Sequence, residues 1–232
     1  MRLDFLGLLE EIFLGLYFRV KDDLKEKAQQ SGAVWMKDNQ AWYFDNPEDY
    51  FKHKELLLNG CDECIVAHDR FYIMVAKQQC FKCGKETSVI AFGLDDFYSL
   101  YDTEAYGPEV EDEHSVGFVF RVSRLEPLSR DVAEFLKREF KFYRGYSRFR
   151  GSDYMGNHCD HCGVLQGDFF LYDEVGSPFF FDSEEKVGEV SLIEVPLEHD
   201  VIVRFDSIDC TGLLLEYFRT VVPFNEYVKR LD

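Results

Sequence analysis

The sequence predicts an α+β protein with a small N-terminal module and a larger mixed domain. Three observations support this fold class. Short helical patterns alternate with strand-like aromatic runs near the N-terminus, longer apolar runs follow, and six of the seven cysteines form Cys-x-x-Cys pairs in the second part. We therefore expect the module to cover residues 1–60 and the larger domain to cover residues 61–232.

The first two predicted elements are a strand and a short helix. Residues 14–20 are apolar and aromatic, which is typical of a strand. Asp22 can act as the N-cap of a helix over residues 23–30. Gly32 follows the end of that helix, where a positive φ favours glycine.

A hairpin and a second helix are expected next. Residues 33–44 contain two aromatic runs on either side of a turn, and they carry Trp35 and Trp42, which we expect to pack in a core. Asn46 followed by Pro47 is typical of a helix start, and this helix should end near residue 60. The resulting order, β-α-β-β-α, fits a small α+β module.

The run over residues 18–44 resembles a small bacterial and phage domain of unknown function. That pattern is a strand, a helix rich in lysine and acids, then Gly-Ala-x-Trp and later Trp-Tyr. In the family the domain is often fused to proteins of plasmid and phage DNA metabolism, so the resemblance implies a genomic neighbourhood and no activity. The matching residues are Gly32, Ala33, Trp35, Trp42 and Tyr43.

The larger domain is expected to mix strands and helices. An acidic stretch at residues 95–113 contains no Lys or Arg and predicts a solvated loop. Pro127 introduces a helix that runs to residue 140 with a period of 3.6 residues. Two further helical patterns cover residues 213–221 and 225–231. Strands are predicted at residues 69–79, 87–92, 115–122, 167–172, 177–181, 188–195 and 201–205.

Composition limits the class of protein. The chain has 46% hydrophobic and 16% aromatic residues, which is enough for a folded core. Its formal charge of −18 argues against a surface that attracts nucleic acid or anionic lipid everywhere, and favours a protein partner with a basic face. Because acids interrupt the apolar N-terminus, we expect neither a secretory signal nor a membrane span, and hence a cytoplasmic protein.

Two cysteine pairs share more than their spacing. Cys80/Cys83 and Cys159/Cys162 are each followed directly by a glycine, which suits a turn whose backbone amides point at the thiolates. We call residues 80–85 the first knuckle and residues 159–164 the second knuckle. Four thiolates complete a tetrahedral Zn²⁺ shell without a water position, so the sequence predicts a structural, zinc-ribbon-like site.

A second assignment of the metal ligands stays open. Only 15 residues separate Cys64 from Cys80, so Cys61 and Cys64 could complete a site with the first knuckle. However, no glycine follows Cys64. This choice also leaves the second knuckle with only His158 and His161 nearby as further metal ligands. Two separate sites or a redox pair are further alternatives.

Residues 80–171 are similar to uncharacterised bacterial proteins that carry both knuckles. Those proteins combine Cys-x-Lys-Cys-Gly-Lys-Glu-Thr with a later Asn-His-Cys-x-His-Cys-Gly-x-x-Gln-Gly-Asp-x-Phe motif. The resemblance implies that the two distant knuckles pair, with Cys80, Cys83, Cys159 and Cys162 as the shared cysteines. It implies no activity. The other matching residues are Asn157, His158, Gln166, Gly167 and Asp168.

One segment departs from the acidic character. Residues 137–150 contain six basic residues and one acidic residue, interleaved with aromatic rings. This pattern suits a single-stranded nucleic acid, because cations contact phosphates and rings stack on bases. The alternative is a helix end followed by a loop that pairs with the chain's own carboxylates. The candidate nucleic-acid contacts are Arg144, Tyr146, Arg148 and Arg150.

No recognisable catalytic motif is present, so the first functional hypothesis is a non-enzymatic, zinc-binding module or scaffold for a protein partner. The second is a nucleic-acid-binding protein that uses the basic segment. The third is a metal-dependent hydrolase with His158, His161 and Asp168 near the metal. We expect His158 and His161 to be hydrogen-bonded or exposed rather than to bind the metal. We expect Cys210 to be a small buried residue rather than a reactive thiol.

Overall fold

The computed structural model describes residues 15–58, 64–100, 117–122, 125, 128–204 and 212–231. Within these ranges the protein is α+β, as predicted, with helices and antiparallel sheets that alternate along the chain. Cys61, Cys210 and most of the predicted acidic loop lie outside the described residues.

The N-terminal part forms a three-stranded sheet with helices at its side. Its central strand pairs antiparallel with both neighbours. The side chain of Asn46 accepts a hydrogen bond from the Glu48 amide at 2.9 Å, which confirms the predicted helix start. The elements are β1 (Leu16–Phe18), α1 (Lys25–Gln30), β2 (Val34–Met36), β3 (Ala41–Phe44), α2 (Pro47–Lys52) and α3 (Lys54–Leu58).

The two tryptophans differ in environment. Trp42 on the central strand β3 is buried in the core, as predicted. Trp35 lies on the edge strand β2 and is 42% exposed, so the expectation of a core position is wrong for this residue. Its ring contacts Trp42 edge-on, with 5.4 Å between the centroids. An edge strand has a neighbour on one side only, which leaves the Trp35 ring half covered.

The core beneath this sheet includes residues from beyond the predicted domain boundary. Leu16, Tyr50 and Leu56 pack in one cluster with Val66 and Leu100. The boundary at residue 60 lies outside the described residues and stays a prediction.

The rest of the chain surrounds a six-stranded sheet with the order β13-β8-β6-β5-β11-β14. All its pairs are antiparallel except β11 with β14. A second sheet has the order β12-β4-β7, and β9 and β10 form a separate hairpin. The elements are β4 (Cys64–Ala67), β5 (Arg70–Gln79), β6 (Glu86–Leu94), β7 (Phe97–Ser99), β8 (Phe118–Val122), α4 (Arg130–Phe140), β9 (Phe142–Ser147), β10 (Ser152–Asn157), α5 (Phe169–Tyr172), α6 (Glu184–Val187), β11 (Ser191–Pro196), β12 (Val201–Arg204), β13 (Leu213–Leu214), β14 (Thr220–Pro223) and α7 (Phe224–Lys229).

Both faces of the six-stranded sheet are buried. Ile73 and Phe92 face a cluster that includes Phe135 of α4. Their neighbours Met74 and Ala91 face a second cluster that includes residues of α5 and α6. Double-sided burial explains why β5 and β6 read as continuous apolar runs in the sequence.

Three predicted elements are wrong. Residues 167–172 were expected as a strand, but Phe169–Tyr172 form the helix α5, and residues 177–181 form turns. The helix expected at residues 213–221 is replaced by β13, a short 3-10 helix and β14. The parallel pairing of β14 with β11 satisfies backbone groups on one side of β14, which becomes the edge strand, and the β-branched residues in β14 favour an extended chain.

The helix predicted after Pro127 is confirmed as α4. Ser129 is its N-cap, and its hydroxyl accepts a hydrogen bond from the Val132 amide at 3.3 Å. The helix ends at Lys141, which has a left-handed φ of 52°. The basic segment then continues as the β9–β10 hairpin, in place of the loop that the alternative interpretation of this segment assumed.

Candidate metal centre

The first knuckle is the turn that connects β5 to β6. The Cys80 amide donates to the Lys85 carbonyl at 2.9 Å, and the Gly84 amide donates back to the Cys80 carbonyl at 2.8 Å. Gly84 has a φ of +68°, which glycine adopts without steric cost. These bonds close a tight loop that directs both thiols to one side.

The second knuckle follows β10 and has the same geometry. The Cys159 amide donates to the Val164 carbonyl at 2.9 Å, and the Gly163 amide donates to the Cys159 carbonyl at 3.0 Å. Gly163 has a φ of +67°, matching the first knuckle. The predicted role of the two glycines is therefore confirmed.

The two knuckles face each other, and their four sulfur atoms lie within 4.8 Å of one another. The Cys80 and Cys162 sulfurs are 3.7 Å apart, and so are those of Cys83 and Cys159. A tetrahedron with Zn–S bonds of about 2.3 Å has an edge of about 3.8 Å. The spacing of the sulfurs therefore fits a four-coordinate metal ion.

Backbone amides favour the ionised form of two of these thiols. Burial raises the pKa of the Cys80 thiol, but hydrogen bonds from the Cys83 and Lys82 amides outweigh it and lower the pKa to about 6. At Cys159 burial likewise opposes ionisation, and the Cys162 and His161 amides still bring the pKa below its usual value. In each knuckle, backbone amides therefore favour the thiolate form of the first cysteine.

The crowding of the sulfurs acts in the opposite direction at Cys162. The Val164 amide favours its thiolate, but desolvation and the three neighbouring thiols raise the pKa of Cys162 to about 11. Four negative charges at this spacing repel one another unless a cation lies between them. The electrostatics of the cluster therefore match those of a cation site.

The second knuckle is held against the open edge of β6. β8 covers only residues 92–94 of that edge. The Asn157 carboxamide lies beside the next part, where it accepts from the Ile90 amide at 2.7 Å and donates to the Ile90 carbonyl at 2.9 Å. Both side-chain groups of a buried amide are thus used in place of a neighbouring strand.

The residue after Cys159 extends this contact. The Asp160 carboxylate accepts from the Ser88 amide at 2.8 Å, and its own amide donates to the Thr87 hydroxyl at 2.9 Å. His161 places its Nε2 atom 2.9 Å from the Glu86 carbonyl oxygen. The first two residues of the knuckle that follow Cys159 thus contact β6 as well.

The Gln166 side chain contacts both knuckles. It is fully buried, and its amide nitrogen lies 3.6 Å from the Cys80 sulfur. Its carbonyl oxygen accepts from the Gln78 side chain at 3.0 Å. The side chain thereby supports a ligand from one knuckle while belonging to the chain that leaves the other.

His158 has a structural position. Its Nδ1 atom lies 3.0 Å from the Gly156 carbonyl oxygen, and its ring stacks on Tyr143 with 3.8 Å between centroids and 6° between planes. Burial lowers the pKa of His158, although the carbonyls of Gly156 and Lys141 work against this. A ring held in this way contributes packing and offers no atom to the sulfur cluster.

Asp168 points toward the hairpin. Its carboxylate pairs with Arg150 at 3.0 Å, and the Arg150 guanidinium also lies over the Tyr154 ring at 4.9 Å. The side chains of His158, His161 and Asp168 thus each have a partner outside the sulfur cluster, although the His161 amide lies 3.4 Å from the Cys159 sulfur.

The structure bears on only one of the alternative cysteine sets. It brings the first knuckle to the second, as the preferred set predicts. Cys64 is buried in β4, and Cys61 lies outside the described residues. Cys210 also lies outside them, so its predicted burial stays a prediction.

The four candidate nucleic-acid contacts lie on the β9–β10 hairpin and its turn. Arg144, Tyr146 and Arg148 are exposed. Arg150 differs, because its guanidinium is occupied by Asp168 and the Tyr154 ring.

The sequence analysis missed the residues that position the second knuckle on β6. Asn157 entered only as part of a resemblance, and Asp160 and Thr87 were not singled out. Asp160 lies between two predicted ligands, which was the available signal. The acceptor on β6 could not be named before the strand order was known.

No family model, curated protein or solved structure matches this chain. None of the helices in the described ranges is both long and apolar enough to cross a membrane.

Proposed function

We propose that this chain is a zinc-binding protein whose Cys₄ centre is structural, and that it acts as a non-enzymatic binding or scaffold module for a protein partner. The observation that supports a bound metal is the clustering of the Cys80, Cys83, Cys159 and Cys162 sulfurs within 4.8 Å, with two of their distances at 3.7 Å. Four thiolates in a tetrahedron select zinc or iron among the common metals, and zinc is the usual ion of paired knuckles.

The metal would cross-link two parts of the chain that are distant in sequence. The first knuckle belongs to the six-stranded sheet, and the second follows the hairpin. With four protein ligands the shell is complete, so the ion contributes to stability and leaves no position for a reacting water. The resemblance of residues 80–171 to two-knuckle bacterial proteins supports the same pairing.

The binding role is supported by apolar side chains beside the metal centre. Phe81 in the first knuckle is 64% exposed and stacks on Phe170 of α5, with 6.3 Å between centroids. Phe169 is 56% exposed and contacts Phe170. Exposed apolar groups that contact one another mark interaction sites. We call Phe81, Phe169 and Phe170 the phenylalanine patch.

The metal and the phenylalanine patch are linked by the chain. Phe81 lies between two ligands, and α5 begins shortly after the second knuckle. Closing the metal site would therefore hold Phe81 against Phe170. The net charge of −18 favours a partner that surrounds its apolar contact with basic residues.

Metal analysis of the purified full-length protein tests the zinc centre. We expect one zinc per chain, and protection of the four cysteine thiols from a thiol reagent until a chelator is added. Cys80→Ser and Cys162→Ser should each lose most of the zinc, whereas Cys64→Ala should retain it. Protein without zinc, or a Cys162→Ser variant as full of zinc as the wild type, would contradict the proposal. Iron in place of zinc would contradict the choice of metal.

The partner role needs a separate experiment. Phe81→Ser combined with Phe170→Ser should abolish recovery of a specific partner that co-purifies with the wild type, while zinc content stays unchanged. Phe51→Ser, at another exposed phenylalanine, is the matched control. Equal recovery of the partner by the patch variant and the wild type would place the contact elsewhere.

A further inference from the structure

One face of the β9–β10 hairpin packs against α4 near Phe142 and forms a groove with that helix. Residues 142, 144 and 146 of β9 share this face with residues 153 and 155 of β10, as the antiparallel register requires. The groove has a volume of about 250 Å³. The lining residues from the two elements include Ala133, Lys137, Phe142, Arg144 and Met155. Its floor is apolar and its rim carries cations.

Three cations on this surface have no acidic partner within the described part of the chain. They are Lys137 on α4, Arg144 on β9 and Arg148 in the hairpin turn. Arg144 has one long hydrogen bond, 3.5 Å, to the Asp153 carbonyl. The surface also holds acids, because Glu134 pairs with Arg130 and the Asp153 side chain lies on the same face. The cations that stay unpaired nevertheless outnumber these carboxylates in a chain of net charge −18.

Two aromatic rings lie next to these cations. Tyr146 is 60% exposed and shares the hairpin face with Arg144. Phe149 in the turn is 100% exposed. In the described ranges neither ring contacts another ring. A ligand that covers these exposed rings would gain the free energy of removing apolar surface from water.

We propose that this surface binds single-stranded nucleic acid, with Lys137, Arg144 and Arg148 at phosphates and Tyr146 and Phe149 stacked on bases. Cations alternate with flat exposed rings along one strand and its turn, which is the arrangement that single strands require. Duplex nucleic acid hides the faces of its bases from such rings. An acidic peptide would use the cations but would leave the two rings without a matching partner.

This set of residues differs from the one that the sequence predicted. Arg150 is removed, because it pairs with Asp168 and covers the Tyr154 ring. Lys137 is added, because α4 places it in the lining of the groove with Arg144, and Phe149 is added because its ring is fully exposed. None of the five residues is a candidate metal ligand, so the proposal stands independently of the zinc centre.

The cations at phosphates predict that binding weakens as the salt concentration rises, because each contact releases counterions from the nucleic acid. Each phosphate contact in a single strand contributes about 0.7 to the slope of log affinity against log salt concentration. Removing the two cations at Lys137 and Arg144 should therefore lower the slope by about 1.4. Removing a stacked ring should weaken binding about tenfold and leave the slope almost unchanged.

The test is fluorescence anisotropy of a labelled oligothymidylate titrated with the full-length protein at several salt concentrations. We expect binding at low salt that Lys137→Glu with Arg144→Glu weakens at least tenfold, and that Tyr146→Ala with Phe149→Ala also weakens. Lys21→Glu with Lys37→Glu, two exposed lysines of the N-terminal part, makes the same change in net charge and should have little effect. Arg150→Ala should likewise retain binding.

Each variant is checked for zinc content and far-UV circular dichroism, so that loss of fold is separated from loss of binding. If the charge-reversed pair is poorly folded, Lys137→Gln with Arg144→Gln replaces it. No binding at low salt by the wild type overturns the proposal. So does equal weakening by the control pair, equal affinity for duplex of the same length, or tighter binding of a polyglutamate peptide.

Discussion

The Nδ1 atom of His68 lies 2.6 Å from an Asp200 carboxylate oxygen, which joins residues 132 positions apart. The second oxygen of the same carboxylate accepts a hydrogen bond from the Tyr50 hydroxyl at 2.9 Å. Asp200 is 2% exposed, so both donors satisfy a buried charge. This contact ties α2 to the chain beside β4 and β12.

The pair of His68 and Asp200 should make stability depend on pH. The hydrogen bond to Asp200 raises the pKa of His68 above its usual value, and this outweighs burial, which acts to lower it. A raised pKa in the folded state means that the stabilisation is complete below about pH 6.5 and is lost as the pH rises through the folded value. Denaturant unfolding of His68→Gln should therefore show a larger deficit against wild type at pH 6 than at pH 9.

Tyr50→Phe is the control for this pH effect. Burial raises the pKa of Tyr50, so its hydroxyl stays protonated throughout that range. Its removal should destabilise the protein by a similar amount at both pH values. A deficit of His68→Gln that does not change with pH would show that the pair contributes only as a neutral hydrogen bond.

Asn157→Ala should be strongly destabilising. The change leaves the Ile90 amide and carbonyl without their side-chain partners in a buried position, which costs about 2 to 4 kcal/mol. Unfolding of the zinc-loaded protein by urea measures this cost. Gln79→Ala removes an exposed carboxamide from β5 and should stay within about 0.5 kcal/mol of wild type. Similar losses for both variants would argue against the role given to Asn157.

Gly145→Ala should reveal the close packing of His158. An added Cβ would lie 2.5 Å from the His158 Nε2 atom, and the ring cannot move away because Tyr143 stacks against it. We expect a loss of about 1 to 3 kcal/mol in the free energy of unfolding.

Two comparisons check this interpretation of Gly145. Gly167→Ala meets only Phe170 at 3.4 Å and should cost less. In a His158→Ala background the same Gly145→Ala change should cost almost nothing, because the obstructing ring is absent. An unchanged cost in that background would assign the effect to the backbone of β9.

Gly84→Ala should weaken metal binding through backbone strain. No atom lies within 4 Å of the added Cβ, so the cost comes from the positive φ and is about 1 to 2 kcal/mol. Competition with a chromogenic chelator should show roughly a tenfold loss in zinc affinity. Gly84→Asn should lose less, because asparagine tolerates this conformation better. Equal affinity of Gly84→Ala and wild type would mean that the turn adapts without strain.

The sequence predicted the parts of the centre that are local. Glycine after Cys83 and after Cys162 indicated two matching turns, and the structure has both. Partners at long range carried no such signal. Neither the pairing of Asn157 with Ile90 nor that of His68 with Asp200 could be derived before the strand order was known.

The errors in secondary structure have a related cause. The apolar spacing over residues 213–221 fits a helix, but an available edge of β11 makes part of this segment a strand. In α5, adjacent Leu171 and Tyr172 are both buried, which a short helix permits and an alternating strand on one face does not. Short apolar runs are ambiguous in this way until their neighbours are known.

The side chains of Asn157 and Asp160 occupy backbone groups of β6 that would otherwise be free to pair with another strand. The exposed stretch would include Val89, Ile90 and Ala91, an apolar segment suited to intermolecular strand addition. Release of the second knuckle would therefore convert a covered strand edge into a site where aggregation can begin. The second knuckle would in this way prevent self-association. Light scattering should therefore increase after a chelator removes the metal.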